Sequence, residues 1–279
     1  MQPSLEVWQE YIETHVGFFL PKNQHQWLAN AIKQVANSLN MSSEMLFARL
    51  KSDPALHQKL IDGVLITESH FFRDKQALDY VCDLYVSALT ANDVRPFVVA
   101  SVGCAAGQEV WSLVMALEQK KQAHRLMTTQ FTRDFLVAGL DANQRILEVA
   151  KKASYPAHTK REIPSGYHVY LNDQADGSYH VVNSLKTNAR FVWANVFDER
   201  QFLSTMRASV REKPSVIVCQ NMLVYFRRFD QRDILSRLVE WLDEGGYLIL
   251  GAGDGLFWQH EQMQRVMHPM VNVWQKTTR

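Results

Sequence analysis

The 279-residue chain has little of several things, and each shortage closes off a class of protein. Its three cysteines, Cys82, Cys104 and Cys219, lie far apart and form no C-x-x-C pair. That supports neither a disulfide framework nor a zinc site, and suits small buried residues in a reducing compartment. The ten histidines include no H-E-x-x-H or similar spacing, so no metal is expected. No apolar run approaches the roughly 18 residues of a membrane span, so no membrane insertion is expected. The opening MQPSLEVWQEYIE carries acids where a signal peptide would carry a basic stretch and an apolar block, which points to a cytoplasmic protein. The formal net charge of +1 gives no general attraction to nucleic acid or anionic membrane.

What is present is an ordinary globular composition, 47% hydrophobic. Residues 1–90 read as helical. Leu78, Val81, Leu84, Tyr85, Ala88 and Leu89 recur at helical spacing, Ser42 or Ser43 can cap a helix through MLFARL, and Pro21, Pro54 and Gly63 punctuate the region. From Pro96 the character changes. Apolar runs FVVASV (97–102), FLVAGLD (135–141), RFVWANVF (190–197), SVIVC (215–219) and YLILGAG (247–253) read as strands. VNVWQKT (271–277) reads as a final strand. Helices are expected at about 107–125 and at 143–153. A third, in FDQRDILSRLVEWLDEGG, would be capped by Asp230 and ended by Gly245-Gly246. Strands alternating with helices predict a doubly wound parallel sheet. Residues 155–189 break the rhythm and read as a small β-subdomain, with a hairpin turning near Asp176-Gly177.

In such a sheet, ligands lie beyond the carboxyl ends of the strands. Gly103 ends the first strand, Gly107 keeps the loop bare, and Glu109 follows. Asp141 ends the second strand, where an acid holds ribose hydroxyls. Residues 103–108 read GCAAGQ, so the pyrophosphate-binding G-x-G-x-x-G is absent, as is G-x-x-x-x-G-K-[ST]. Glu109 would repel phosphate and tolerate a cation. S-adenosylmethionine fits: it has adenosine, no phosphate and a positive sulfur. A dinucleotide enzyme, and glycines that serve only strand–helix packing, stand as competing readings.

Further segments converge on one family. ITESHFFRD (66–74) resembles T-N-x-T-x-F-F-R-[ED] of the CheR-type chemoreceptor glutamate methyltransferases. VGCAAGQEVWSLVMAL (102–117), SVIVCQNMLVYF (215–226) and DEGGYLILGAGDGL (243–256) resemble that family's S-A-G-C-S-T-G-E-E-P-Y-S-L-A-M, D-x-I-F-C-R-N-V-L-I-Y-F and K-P-G-G-x-L-x-x-G-H-S-E-S-L, in the same order. The resemblance implies a Rossmann-like, class I methyltransferase sheet with a small helical N-terminal domain and a small β-subdomain. It divides the chain into 1–90, helical domain and linker, and 91–279, the methyltransferase domain with its β-subdomain near 155–189. It implies methyl transfer from S-adenosylmethionine to glutamates on the cytoplasmic signalling helices of a chemoreceptor-like protein.

To Gly103, Gly107, Glu109 and Asp141 the resemblance adds Thr67, Ser69, Arg73, Asn195, Val196, Asn221 and Met222 as cofactor-site residues, with Arg73 and Tyr225 as catalytic ones. Bland readings stand beside these: a salt bridge of Arg73 with Asp74 or another local acid, Tyr225 as a core aromatic, Asn221 as a turn residue, Asp141 as a helix cap, and Phe71 and Phe72 as packing. The chain departs from the family at Thr67, Ser69, Gln108 and Gln220, and Gly251-Ala252-Gly253-Asp254 stands for G-H-S-E. The family's N-terminal helices are basic, whereas residues 1–90 hold 7 Lys+Arg against 10 Asp+Glu, a net of −3. A divergent receptor, for instance one controlling pili or surface motility, is therefore the expected acceptor. A small-molecule methyltransferase and a non-catalytic cofactor sensor are the rival functions.

Overall fold

Five helices open the chain: α1 (Leu5–Val16), α2 (His25–Ser38), α3 (Ser43–Arg49), α4 (Pro54–Val64) and α5 (Lys75–Leu89). The computed structural model describes residues 3–20, 25–89, 95–127, 133–255 and 258–278. Pro21, Leu256 and the expected domain boundary at residues 90 and 91 lie outside them. Ser42 caps α3 by accepting from the Met45 N–H, and Pro54 occupies the first turn of α4, where its missing N–H costs nothing. Helices α1 to α4 bury Trp8, Ile12, Leu28, Ile32, Leu46, Leu60 and Ile61 in one cluster, to which Leu65 and Ile66 also belong. Phe71 and the inner face of α5 join the core beneath the sheet instead. Between Ile66 and Phe71 the packing passes from the helical cluster to the core beneath the sheet.

The seven-stranded sheet comprises β1 (Phe97–Val102), β2 (Phe135–Asp141), β6 (Ala189–Trp193), β7 (Val216–Cys219), β8 (Tyr247–Leu250), β9 (Met263–Val266) and β10 (Asn272–Lys276). Their spatial order is β6-β2-β1-β7-β8-β10-β9, with β10 antiparallel to both neighbours and the other pairings parallel. Helices α6 (Gln108–Met127), α7 (Gln144–Lys152), α9 (Glu199–Ser209) and α10 (Arg228–Trp241) cover the two faces; α8 (Asn183–Lys186) is a single turn. Strand β1 is buried along its whole length, as an all-apolar run sandwiched between helical layers requires. The strand order reverses between β1 and β7, and the crevice at that point is where a ligand is expected.

Several details differ from the sequence reading: α9 and the strand Ser154–Pro156 went unread, and β6 and β8 end at Trp193 and Leu250, short of the expected 197 and 253. The N-cap of α10 is Arg227, without a side-chain cap, and Asp230 lies in its first turn. That helix ends at Trp241, while Gly245, at φ 72°, shapes the turn into β8. Strand β9, MQRV, went unread, since it is short, half polar and pairs only with β10. The small β-subdomain is a three-stranded antiparallel sheet of β3 (Ser154–Pro156), β4 (Leu171–Asp173) and β5 (Ser178–Val181), with Gly177 at φ 79° in the hairpin.

Candidate active site

A cavity of about 320 Å³ opens where β1, β2, β6 and β7 end. One wall is the loop from β1 into α6 together with the end of β2. The Gly103 and Cys104 N–H groups both donate to the Leu140 carbonyl (2.8 and 2.9 Å), which turns the chain away from the strand. Ala105 sits at φ 47°, and its N–H donates to Asp141 Oδ2 (2.8 Å), while the Asn143 N–H donates to Oδ1 (2.8 Å). Asp141 therefore locks the loop to the following helix. Asn143, not Asp141, caps α7 by accepting from the Ile146 N–H. Burial pushes the Asp141 carboxyl up to about 6, against the lowering effect of those two N–H donors. Each oxygen retains a lone pair for a ligand hydroxyl. Glu109 stands in the first turn of α6, its Oε1 accepting from the Ser101 hydroxyl (2.7 Å). Its other oxygen has no hydrogen-bond partner among the described residues. Burial pushes its carboxyl up to about 7; the Ser101 hydroxyl and Arg73 pull it down, Asp74 pushes it further up.

The rest of the lining includes residues from the segments 66–74 and 221–226. Arg73 is exposed on the cavity and has no ion pair or hydrogen bond among the described residues. Among the described residues Arg73 forms no salt bridge with Asp74, which is engaged elsewhere. Its Oδ1 accepts from the Ala77 N–H at the start of α5 (2.9 Å), and its Oδ2 accepts from Gln220 Nε2 (2.8 Å). Gln220, a departure from the family, thus has a matched neutral partner role. Asn221 adopts φ 57°, so the turn reading describes its backbone, and Met222 packs against Gly103. Tyr225 stacks near Phe18 with ring centroids 5.2 Å apart, and its hydroxyl has no partner among the described residues.

Ten of the predicted residues line this one cavity: Ser69, Arg73, Gly103, Glu109, Asp141, Asn195, Val196, Asn221, Met222 and Tyr225. Thr67 and Gly107 do not. Gly107 instead lets α7 and β6 approach: at φ 84°, a Cβ there would lie 2.8 Å from Ala150 Cβ and 3.0 Å from Phe191. Asn195 lines the cavity, but its amide is committed elsewhere, donating to the His15 carbonyl (2.9 Å) and accepting from the Phe197 N–H (3.1 Å). The sequence reading missed Val16 and Phe18, which reach the cavity from the end of α1, and also Glu68, His70 and Asp74. Glu68, His70 and Asp74 lie inside the ITESHFFRD segment and were legible as its polar positions; Val16 and Phe18 carry no signal beyond being apolar.

The walls suit an adenosine-bearing cation. Asp141 can receive sugar hydroxyls, the unpaired oxygen of Glu109 can face positive charge, and carboxylates so placed disfavour phosphate. A cavity of this size at the switch point of such a sheet is the arrangement of an S-adenosylmethionine-dependent methyltransferase. The family model described as "CheR methyltransferase, SAM binding domain" matches residues 67–272, and the chain belongs to the CheR methyltransferase family. The match begins where packing passes from the helical cluster to the sheet core. "Chemotaxis protein methyltransferase 2" of Vibrio cholerae is 22% identical over 255 residues, covering 89% of this chain and 84% of that protein. "Chemotaxis protein methyltransferase 1" of Pseudomonas aeruginosa is 24% identical over 256 residues, covering 90% and 89%. "Probable biofilm formation methyltransferase WspC" of the same organism is 25% identical over 255 residues, 90% of this chain but 57% of that protein.

Proposed function

We propose that this protein is a protein-glutamate O-methyltransferase acting on the cytoplasmic signalling helices of a chemoreceptor-like protein. The observation that carries the proposal is the Arg73 guanidinium, which lines the same cavity as Glu109 and Asp141 and has no ion pair or hydrogen bond among the described residues. A planar cation left free beside a methyl-donor pocket suits a carboxylate acceptor. The names of the chemotaxis relatives support a receptor as acceptor, and the biofilm relative supports a surface-linked pathway. The acidic balance of residues 1–90 argues that a strongly acidic receptor face is not gripped by those helices.

Glu109 and Asp141 would hold S-adenosylmethionine, which when bound would supply an electrophilic methyl group and leave as S-adenosylhomocysteine. The residues around it have simple tasks. A glutamate side chain, with a pKa of about 4.3, is already ionised at neutral pH, so no general base is required. Arg73 orients the carboxylate, and Tyr225, whose hydroxyl has no partner among the described residues, donates to the same oxygens or closes the site. Val16, Phe18, Met222 and Phe226 line the cavity and exclude water. Opposite charges cancel as the ester forms, so a dry cavity favours the reaction over separated ions. The principal catalytic contribution is alignment.

The test is incubation of the protein with methyl-labelled cofactor and membranes from its own cell. Base-labile label on a membrane protein is the expected result. Label appearing only in a small molecule would assign a different acceptor; cofactor binding without any transfer would assign a sensor.

A further inference from the structure

We infer that Glu162 of the β-subdomain is a positioning residue for Arg73, acting together with Ser112 of α6. This rests on the reading of Arg73 as the group that receives the acceptor carboxylate. Immediately before Arg73 the backbone is held by two side-chain acceptors. Glu162 Oε2 accepts from the Phe71 N–H (2.9 Å), and Ser112 Oγ accepts from the Phe72 N–H (2.9 Å). Ser112 is 1% exposed, and it donates in turn to the Gln108 carbonyl (2.7 Å), so its orientation is fixed. Gln108 Nε2 donates to the Ser69 carbonyl (3.1 Å) and holds the same segment from the same helix turn. The other oxygen of Glu162 lies 3.3 Å from His70 Nδ1, and His70 Nε2 lies 3.3 Å from Glu68.

The grip has a reason in the backbone. Phe72 sits at φ 50°, a left-handed conformation that a bulky residue holds only when its surroundings impose it. That single residue sends its neighbours apart. Phe71 goes into the core, its ring 4.9 Å from Tyr155 and 6.3 Å from Tyr179 of the β-subdomain. Phe72 packs 4.7 Å from Tyr167, and Arg73 goes to the cavity wall. Arg73 itself has no partner among the described residues, so its place is set by the backbone that carries it. Glu162, at the end of the 3₁₀ segment Ala157–Glu162, is the point where the β-subdomain takes hold of that backbone. The small sheet therefore supports the reacting wall as well as closing the domain.

Glu162→Ala and Glu162→Gln test this on the full chain, because glutamine keeps an oxygen for the Phe71 N–H. Hydrogen exchange over residues 66–74 should quicken by about tenfold or more in E162A and return toward wild type in E162Q. Methyl transfer at saturating cofactor and acceptor should fall in E162A by about tenfold to a hundredfold, with S-adenosylhomocysteine affinity held within about threefold. E162A added to R73A should cost little more than R73A alone. Unchanged exchange, an unchanged transfer rate, a parallel loss of cofactor affinity, or full additivity with R73A would each overturn the inference. A wild-type protein that labels no protein carboxylate defeats the glutamate reading instead, and the exchange measurement still reads the grip separately.

Discussion

On the wall formed by β1, β2 and α6, both carboxylates are already held, Asp141 by two backbone N–H groups and Glu109 by Ser101. Across the cavity Arg73 and the Tyr225 hydroxyl have no hydrogen-bond or ion-pair partner among the described residues. On the proposed function, the contrast separates two tasks. A group that receives the same cofactor at each turnover gains from being fixed and partly desolvated beforehand. A cation that must accept and release successive carboxylates would lose by pairing, because a tightly bound ground state adds to the barrier. Left-handed backbone occurs on both sides of the cavity, at Ala105 in the loop after β1 and at Phe72 and Asn221 across from it, so the difference lies in the side-chain partners and not in strain.

The largest effect that could break this contrast is on cofactor binding. Asp141→Ala removes the acceptor for two N–H groups and for the sugar, and should weaken S-adenosylhomocysteine binding by about a hundredfold or more, roughly 3 kcal/mol, in calorimetry. Arg73→Ala should leave that affinity within about threefold and lower methyl transfer by about a hundredfold, roughly 2.7 kcal/mol. If both substitutions abolish binding equally, the walls do not divide the work.

A smaller effect sharpens the boundary of the first wall. Gly107→Ala, which forces a Cβ toward Ala150 from a positive φ, should lower stability by about 1–3 kcal/mol in denaturant titration. Cofactor affinity of the folded fraction should be unchanged, since Gly107 packs helix against strand outside the cavity lining. A weakened affinity at constant stability would return Gly107 to the binding loop.

The same contrast explains how much could be read without coordinates. The first wall was legible from local pattern: a buried strand, a glycine at its end, and acids at fixed distances, each a consequence of one strand meeting one helix. Even there, Gly103 and Gly107 look alike in sequence, and only the neighbours Met222 and Ala150 tell a cavity glycine from a packing one. The second wall was legible only through family resemblance, since Arg73 and Tyr225 are far apart in the chain and nothing local brings them together. What stayed hidden was the support: Gln220 holding Asp74, and Glu162 holding Phe71 across 91 residues. Strands were readable where both faces are buried, as in β1, and unreadable where one edge is polar, as in β9.

The smallest effect concerns pH and isolates a single carboxylate. Glu109 has its carboxyl pushed up to about 7 by burial, above its ordinary value, so the unliganded fold disfavours the ionised form. Its contribution makes the empty protein less stable as pH rises from the ordinary carboxylate range toward 7, because the unfolded chain has by then released a proton that the fold retains. A cation in the cavity reverses the preference, since it favours the ionised carboxylate. Affinity for S-adenosylmethionine should therefore rise roughly fourfold between pH 6.5 and 8, the change in ionised fraction for a group titrating near 7. Asp141, pushed to about 6, is largely ionised over that interval and adds little slope. Glu109→Gln should flatten the profile and bind more weakly at pH 8, whereas Arg73→Ala should keep the slope and move it to slightly higher pH, because the guanidinium helps to hold the Glu109 carboxyl down. A flat wild-type profile, or one abolished by R73A and untouched by E109Q, would mean that the cofactor's charge is read on the other wall.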